Sequence, residues 1–211
     1  MSGARGADAA LAGRIAEAAA ALRRGGVIAY PTETFYGLGA LASDGAAVAR
    51  LVRAKGRPDG KPLPLLGADL AQLERVAEFS PLALRLAAAF WPGPLTLVLP
   101  ARPGVHAAIT GGTGTVGVRV TSGGVAAALA AAAGGALVAT SANPSGGPPP
   151  TTAAGLDPAL RARLDLVLDG GSTPGGAPST VVAVEDGRLV LRRPGAVPIE
   201  VVRAAAGVPP R

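Results

Sequence analysis

Short apolar runs alternate with longer helical stretches along most of the chain, and this pattern constrains the fold more than any other feature. The runs have the length and the valine and leucine content of buried strands, and they lie at residues 27–30, 63–66, 95–99, 116–120, 137–139, 166–168, 180–184 and 189–191. Between several of them, helical stretches are predicted at residues 11–22, 44–54, 68–77, 81–90, 123–133, 152–164 and 198–206. This alternation is typical of an α/β layer fold.

One pair of predicted strands is joined by a tight turn. Asp186 and Gly187 separate the runs 181–184 and 189–191, and Asp-Gly is a common two-residue hairpin turn. These two strands are therefore predicted to be antiparallel, which makes the sheet a mixed one.

Residues 11–206 are predicted to form a single domain. The chain has 211 residues, which is enough to bury a sizeable core in one α/β domain. Asn143–Pro150 is rich in glycine and proline and fits either a domain boundary or a rigid loop at a site. Neither side of it has a complete alternating pattern, which counts against a boundary. We expect residues 1–10 to be a flexible N-terminus and residues 207–211 a C-terminal tail.

Composition excludes several kinds of site. The chain has no cysteine, which excludes disulfides, thiolate metal sites and thiol catalysis. His106 is the only histidine, so a metal site built from histidines is excluded, and we interpret it as an exposed loop residue. We see no signal peptide or membrane span and expect a soluble cytoplasmic protein. The formal charge of +6 favours anionic partners such as nucleotides, polyphosphates or RNA, although an arginine-rich composition without a basic patch fits it equally well.

Two loops keep residue types that are scarce in the rest of the chain. Lys55 and Lys61 are the only lysines, and Arg57 lies between them. Asn143 is the only asparagine and lies close to Ser141. A compact ammonium approaches a phosphate or bicarbonate as a point charge, which a planar guanidinium does not do. The lysine loop is therefore predicted to bind an anion, with a solvated basic turn as the alternative.

Two further segments carry polar side chains that a ligand could contact. Tyr30–Gly39 follows a predicted strand and is dense in hydroxyl groups. Glu33 within it is a possible base, whereas its threonines could equally cap the turn. In residues 115–120, the two-residue period of a strand puts Arg119 on the face opposite three valines. Such an arginine needs a carboxylate partner, either from the protein or from a substrate.

Seven motifs, in this order along the chain, resemble those of the threonylcarbamoyl-AMP synthases, the YrdC/Sua5 family. They are YPTETFYGLG from Tyr30, KGRPDGKPL from Lys55, WPGPLTL from Trp91, TVGVR from Thr115, SANPSG from Ser141, STVV from Ser179 and LRRPGA from Leu191. The resemblance covers residues 11–206. It implies a YrdC-like α/β fold of the short, single-domain type, with a twisted mixed parallel and antiparallel sheet, flanking helices and a concave basic groove.

The resemblance also implies a reaction, in which L-threonine, bicarbonate and ATP are joined into threonylcarbamoyl-AMP and pyrophosphate. Downstream enzymes would then transfer the threonylcarbamoyl group to the adenosine at position 37 of tRNA. Mg²⁺ would be bound mainly through the ATP phosphates. Two alternatives are a carbamoyl-adenylate-forming relative, against which the absence of cysteine counts, and a non-enzymatic RNA-binding module, against which the scarcity of aromatic residues counts.

The family pattern implies which residues form the site. Catalysis is assigned to Lys55, Arg57, Lys61, Ser141 and Asn143. ATP binding is assigned to Arg57, Lys61, Ser141, Asn143, Pro149 and Arg193. Threonine binding is assigned to Thr34, Thr115, Arg119 and Ser179, with Arg119 facing the threonine carboxylate, and no protein ligand to a metal is predicted. The chain departs from the pattern at Leu66, Thr140 and Pro149, where many relatives carry histidine, proline and serine. These departures concern the threonine pocket more than the reaction.

Overall fold

The computed structural model describes residues 2–57, 60–185 and 187–207. Pro58 and Asp59 of the predicted anion-binding loop, Asp186 of the predicted hairpin turn and residues 208–211 of the predicted tail lie outside the described residues. The helices are α1 (Ser2–Arg23), α2 (Gly45–Lys55), α3 (Leu70–Glu74), α4 (Pro81–Phe90), α5 (Ala107–Thr110), α6 (Gly124–Ala133), α7 (Pro158–Arg161) and α8 (Ile199–Ala205). The strands are β1 (Ile28–Pro31), β2 (Tyr36–Gly39), β3 (Leu65–Gly67), β4 (Leu95–Pro100), β5 (Thr115–Val120), β6 (Leu137–Val138), β7 (Thr140–Ser141), β8 (Leu166–Val167), β9 (Thr180–Glu185) and β10 (Arg188–Arg193).

The strands form two mixed sheets, where the sequence predicts one. The smaller sheet has the order β7-β2-β1-β8 and the larger one the order β10-β9-β4-β5-β3-β6. In the larger sheet β4 pairs antiparallel with β5 and parallel with β9, and β9 pairs antiparallel with β10, as the predicted hairpin requires. The sheets are joined where Val138 N donates to Ala40 O and Ala42 N donates to Ala136 O, each at 2.9 Å. The mixed α/β fold is confirmed, and the single sheet is corrected to two.

The two-residue period of the strands gives the larger sheet one apolar and one polar face. The residues of β4 and β5 that are buried in the main core are Leu95, Leu97, Leu99, Val116, Val118 and Val120. The residues between them line a cavity on the other side, and they are Thr96, Val98, Thr115, Gly117 and Arg119. The predicted position of Arg119 opposite the valines is therefore confirmed.

Helices cover the apolar side. Helix α4 packs against β4 and α8, and α6 packs against α1, β1 and β3. Helix α2 begins after Asp44, whose Oδ1 accepts a hydrogen bond from Ala47 N at 3.0 Å. It ends at Gly56, whose φ of 61° is the left-handed conformation that favours glycine. This glycine turns the chain between Lys55, the last residue of the helix, and Arg57.

Several elements differ in extent from the prediction. Strand β2 is not predicted, because glycines interrupt its apolar pattern. Gly39 is required at its position, because a Cβ there would lie 2.6 Å from the Tyr30 ring. Helix α7 occupies four residues of the predicted stretch 152–164, and α3 is shorter than its predicted stretch 68–77. Helix α1 begins at Ser2 and ends at Arg23, whereas the predicted helical stretch is 11–22. The flexibility of residues 1–10 stays a prediction. Among the helices of the described ranges, none combines the length and the apolar sequence that a membrane span requires.

Candidate functional site

A cavity of about 1100 Å³ lies over the polar face of the larger sheet. Strands β4, β5 and β9 form its floor, and residues 32–37, 139–141, 176, 178–179 and 192–193 line its walls. The predicted site residues that line it are Thr34, Arg57, Thr115, Arg119, Ser141, Pro149, Ser179 and Arg193. Lys55, Lys61 and Asn143 are not among the lining residues. A cavity of this size is large enough for a nucleotide together with a second small ligand.

The charge of the cavity lining is positive. Four arginines line it, Arg57, Arg119, Arg192 and Arg193, against two glutamates, Glu33 and Glu185. Burial lowers the pKa of Arg57, and burial together with the nearby Arg119 charge lowers the pKa of Arg193. Guanidinium groups keep their charge at neutral pH even so. The cavity therefore attracts anions.

Lys55 lies behind the cavity wall, where it holds the loop that carries Ser141. Its Nζ donates to the backbone oxygens of Ser141 and Asn143, the latter at 3.0 Å, and both side-chain oxygens lie at 3.4 Å. The side chain is only 5% exposed. Burial, with repulsion from Arg57, lowers the pKa of Lys55 to about 8. A direct role of Lys55 toward phosphate or bicarbonate stays a prediction.

Asn143 belongs to the same network. Its Nδ2 donates to Pro144 O at 2.9 Å and to Gly147 O, while its side-chain oxygen faces the Lys55 ammonium. An amide that donates at one end and accepts at the other suits this position, which gives a structural reason for the single asparagine. The following loop, residues 143–150, is tied to β2 by a hydrogen bond from Tyr36 N to Pro150 O at 2.9 Å.

Arg57 closes its own loop at the mouth of the cavity. Its Nη2 donates to Pro62 O at 2.8 Å and its Nε to Lys61 O at 3.3 Å. The Lys61 side chain is exposed outside the cavity lining. The scarcity of lysine therefore has a structural reason at Lys55, whereas nothing in the structure explains it at Lys61.

Arg119 has its carboxylate partner within the protein. It forms a salt bridge with Glu33, and the two side chains are 11% and 18% exposed. The other carboxylate oxygen of Glu33, Oε2, accepts a hydrogen bond from Thr121 Oγ1 at 2.8 Å. Of the two carboxylate partners predicted for Arg119, the structure contains the one from the protein. A contact between Arg119 and the carboxylate of a threonine substrate stays a prediction.

A second polar cluster lies across the cavity around Ser179. Arg193 Nη2 donates to Ser179 O at 2.8 Å and to its Oγ at 3.1 Å. The Thr96 and Ser179 hydroxyl oxygens are 2.8 Å apart. Thr96 is not among the predicted site residues, although its place between Leu95 and Leu97 in a two-residue period could have identified it as a cavity residue.

The three departures from the family pattern differ in their relation to the cavity. Leu66 is fully buried in a separate core cluster that also contains Tyr30 and Leu129. It therefore does not line the cavity, whereas Thr140 and Pro149 do. His106 is exposed and caps α5 through Nδ1, which accepts from Ala108 N at 3.2 Å, and its interpretation as an exposed residue is confirmed.

The described residues offer no ready cage for a metal ion. They contain no group of three or more histidine, cysteine, aspartate or glutamate side chains that could hold one. Both cavity glutamates are paired with arginines, Glu33 with Arg119 and Glu185 with Arg192.

Comparison with known proteins gives consistent matches. The Sua5_yciO_yrdC family model, described as "Telomere recombination", matches residues 20–195. The chain is 43% identical over 195 residues to a threonylcarbamoyl-AMP synthase of Pyrococcus abyssi and 43% identical over 196 residues to one of Bacillus subtilis. Each alignment covers 92% of this chain and 57% of the relative, so the chain spans little more than half the length of these relatives. The structure of P. abyssi Sua5 complexed with L-threonine matches with a TM-score of 0.84 and 43% identity, covering 92% of this chain and 57% of that one.

Proposed function

The chain belongs to the Sua5/YciO/YrdC family, and from this premise we propose that it forms threonylcarbamoyl-AMP and pyrophosphate from L-threonine, bicarbonate and ATP. This is a nucleotidyl transfer. The observation that carries the proposal is the cavity, which is lined by four arginines and whose floor includes the hydroxyl groups of Thr96 and Thr115. The 43% identity to two synthases and the L-threonine bound to P. abyssi Sua5 support the choice of substrate.

The reaction depends on positioning more than on acid or base catalysis. The amine of threonine would add to the carbon of bicarbonate with loss of water, giving a carbamate. A carbamate oxygen would then attack the α-phosphorus of ATP, and pyrophosphate would leave. Because the carbamate is unstable in water, a deep cavity that holds it next to the nucleotide favours the second step.

The cavity residues divide between the two substrates. Arg57 and Arg193 would contact the phosphates, where negative charge develops on the departing pyrophosphate. Arg119 would bind the threonine carboxylate. Ser141 would face the nucleotide from the loop that Lys55 and Asn143 hold in place. Thr34, Thr115 and Ser179 would complete the threonine pocket.

Mg²⁺ would enter as part of the substrate, the magnesium complex of ATP. This fits the finding that the described residues contain no cluster of metal-ligating side chains and that both cavity glutamates are paired with arginines. Mg²⁺ also tends to keep its waters and to bind through phosphate oxygens.

The product is an activated mixed anhydride, so a second enzyme would consume it. We propose that downstream enzymes transfer the threonylcarbamoyl group to tRNA and that the reaction takes place in the cytoplasm. The net positive charge of the chain is consistent with a function near tRNA, which is an anionic partner.

Pyrophosphate release tests the proposal. The purified chain is incubated with magnesium ATP, bicarbonate and L-threonine, and pyrophosphate is followed with each substrate omitted in turn. Release that requires all three substrates supports the synthase. Release that requires carbamoyl phosphate instead would indicate the carbamoyl-adenylate-forming alternative. No release, together with salt-sensitive retention of RNA, would indicate a binding module.

A further inference from the structure

We propose that Glu33 is a positioning residue, which fixes the guanidinium of Arg119 so that its remaining N–H groups face the carboxylate of threonine. This inference rests on the proposed function. Glu33 was predicted only as a possible base, and the structure gives it a different set of contacts.

The backbone that carries Glu33 is itself held in place. Residues 32–35 form the turn between β1 and β2, in which Thr32 N and Thr32 Oγ1 both donate to Phe35 O, at 3.1 and 2.7 Å. On the other side, the backbone of Gly123 approaches so closely that a Cβ there would lie 3.0 Å from Glu33 N. The side chain of Glu33 therefore starts from a fixed point.

The carboxylate of Glu33 connects the two sheets. Its turn belongs to the smaller sheet, whereas Arg119 belongs to β5 and Thr121 follows β5 in the larger sheet. Thr121 is only 2% exposed, and its Oγ1 also accepts a hydrogen bond from Gly123 N at 3.1 Å. One oxygen of Glu33 is thus held by a buried hydroxyl while the other holds the arginine.

The contacts of Arg119 leave donors free for a ligand. Within the described part of the chain, its only side-chain hydrogen bond is from Nη1 to Glu33 Oε1. A guanidinium has five N–H groups, so the other donors remain. In the described ranges, every fully buried side-chain nitrogen has a hydrogen-bond partner. The other two nitrogens of Arg119 have no partner there, so they are not fully buried, and the residue lines the cavity.

A substrate carboxylate would join this pair and leave Glu33 in place. Displacing Glu33 would take the acceptor away from the buried Thr121 hydroxyl and the partner away from a largely buried arginine, which is costly. Adding a carboxylate on the cavity side would instead give the guanidinium a second anionic partner. The contrary hypothesis, in which Glu33 competes with the substrate for Arg119, predicts the opposite effect of removing its charge.

Glu33→Gln separates the two hypotheses because it keeps the shape and removes the charge. The amide oxygen can still accept from Thr121, but the amide nitrogen then faces the donors of Arg119. We expect the Kd and the KM for L-threonine to rise about tenfold, the effect of one charge-assisted hydrogen bond. The KM for ATP and the kcat at saturating threonine should change by less than about twofold.

Further ligands and variants test whether the effect passes through Arg119. L-threoninamide lacks the carboxylate and should bind wild type more weakly than L-threonine does. Its Kd should be the same for wild type and Glu33→Gln. In an Arg119→Gln background, Glu33→Gln should have no additional effect on threonine binding. Thr121→Val removes the hydroxyl that donates to Glu33 and accepts from Gly123 N, and it should raise the threonine Kd by a smaller factor, about threefold. It gives a second test should Glu33→Gln fail to fold.

Asp165→Asn is the matched control. Asp165 pairs with Arg50 in a half-exposed salt bridge outside the cavity lining, so its substitution should leave the threonine Kd unchanged even if it lowers stability. Calorimetric titration of the full chain with L-threonine is the first measurement. If wild type does not bind threonine, the proposed function fails. If wild type binds it and Glu33→Gln binds it equally well or more tightly, the proposed function stands and the positioning role of Glu33 is overturned.

Discussion

Lys55→Met tests whether a buried ammonium serves the cavity by holding the loop of Ser141 and Asn143. Methionine has a similar length and volume but cannot donate hydrogen bonds. We expect turnover in the pyrophosphate assay to fall about tenfold to a hundredfold, because the loop loses the contact that fixes it beside the proposed nucleotide site. The free energy of unfolding, in contrast, should fall by no more than about 3 kcal/mol.

Two opposing contributions partly cancel in the stability change. The substitution leaves two backbone carbonyl oxygens, those of Ser141 and Asn143, without the ammonium donor. At about 1–3 kcal/mol for each buried acceptor without a partner, this costs about 2–6 kcal/mol. Burial and repulsion from Arg57 lower the pKa of Lys55 from 10.5 to about 8. At about 1.4 kcal/mol for each pKa unit, keeping the ammonium charged costs about 3.5 kcal/mol, which methionine avoids. The net loss is therefore between about −1.5 and 2.5 kcal/mol.

Urea unfolding and steady-state pyrophosphate release measure the two quantities on the same samples. Lys61→Met is the matched control for stability, because it makes the same chemical change on an exposed side chain and should leave the free energy of unfolding unchanged. Wild-type turnover in Lys55→Met would refute the reasoning. A stability loss well above about 3 kcal/mol would also refute it, because Lys55 would then be needed mainly for folding.

Three other substitutions or conditions give separate tests. Between pH 8 and pH 10.5, Lys55 keeps its proton in the unfolded chain and has lost it in the folded one. The free energy of unfolding of wild type relative to Lys55→Met should therefore rise with pH. We expect a rise of about 2 kcal/mol between pH 7 and pH 9.5, measured by urea unfolding. A flat difference would show that the pKa of Lys55 is not lowered. Arg57→Ala should lower turnover at least about tenfold and raise the KM for ATP, whereas Arg53→Ala, on the exposed side of α2, should do neither. In Gly195→Ala the new Cβ would lie 2.3 Å from Pro178 O. We expect it to lower the free energy of unfolding by about 1–3 kcal/mol and to raise the threonine KM by moving Ser179. Gly124→Ala, where a Cβ meets open space, is its control, and equal behaviour of the two alanine variants would contradict the predicted clash.

The elements that sequence reasoning predicted well are those whose signal is local. Strands β4 and β5 carry an uninterrupted alternation of faces, so the burial of Val118 and the exposure of Arg119 to the cavity follow from residue type alone. Strand β2 lacks that signal, because two of its four residues are glycines. Of these, Gly39 is required by the nearby ring of Tyr30, which lies in the neighbouring strand. The division into two sheets depends on which distant edges pair, and no short stretch of sequence encodes that.

The motifs contain residues that the fold brings together, but they do not show the contacts of those residues. Arg57, Ser141 and Ser179 line one cavity, and their roles toward substrates stay predictions. The bonds from Lys55 to Ser141 and from Arg119 to Glu33 each join residues 86 positions apart, so neither could be read from local spacing. That a buried arginine needs a carboxylate partner follows from physical chemistry. Only the fold shows that this partner of Arg119 is Glu33.

The alternating faces of β5 limit how this part of the chain can change in length. A single residue inserted after Val116 would rotate everything that follows by half a turn, carrying Arg119 into the apolar core and Val118 into the cavity. The turn just before the strand lies outside this alternation of faces, and the space around the Cα atoms of Gly112 and Gly114 is open. Insertions and deletions among related chains should therefore accumulate in that turn and spare the strand.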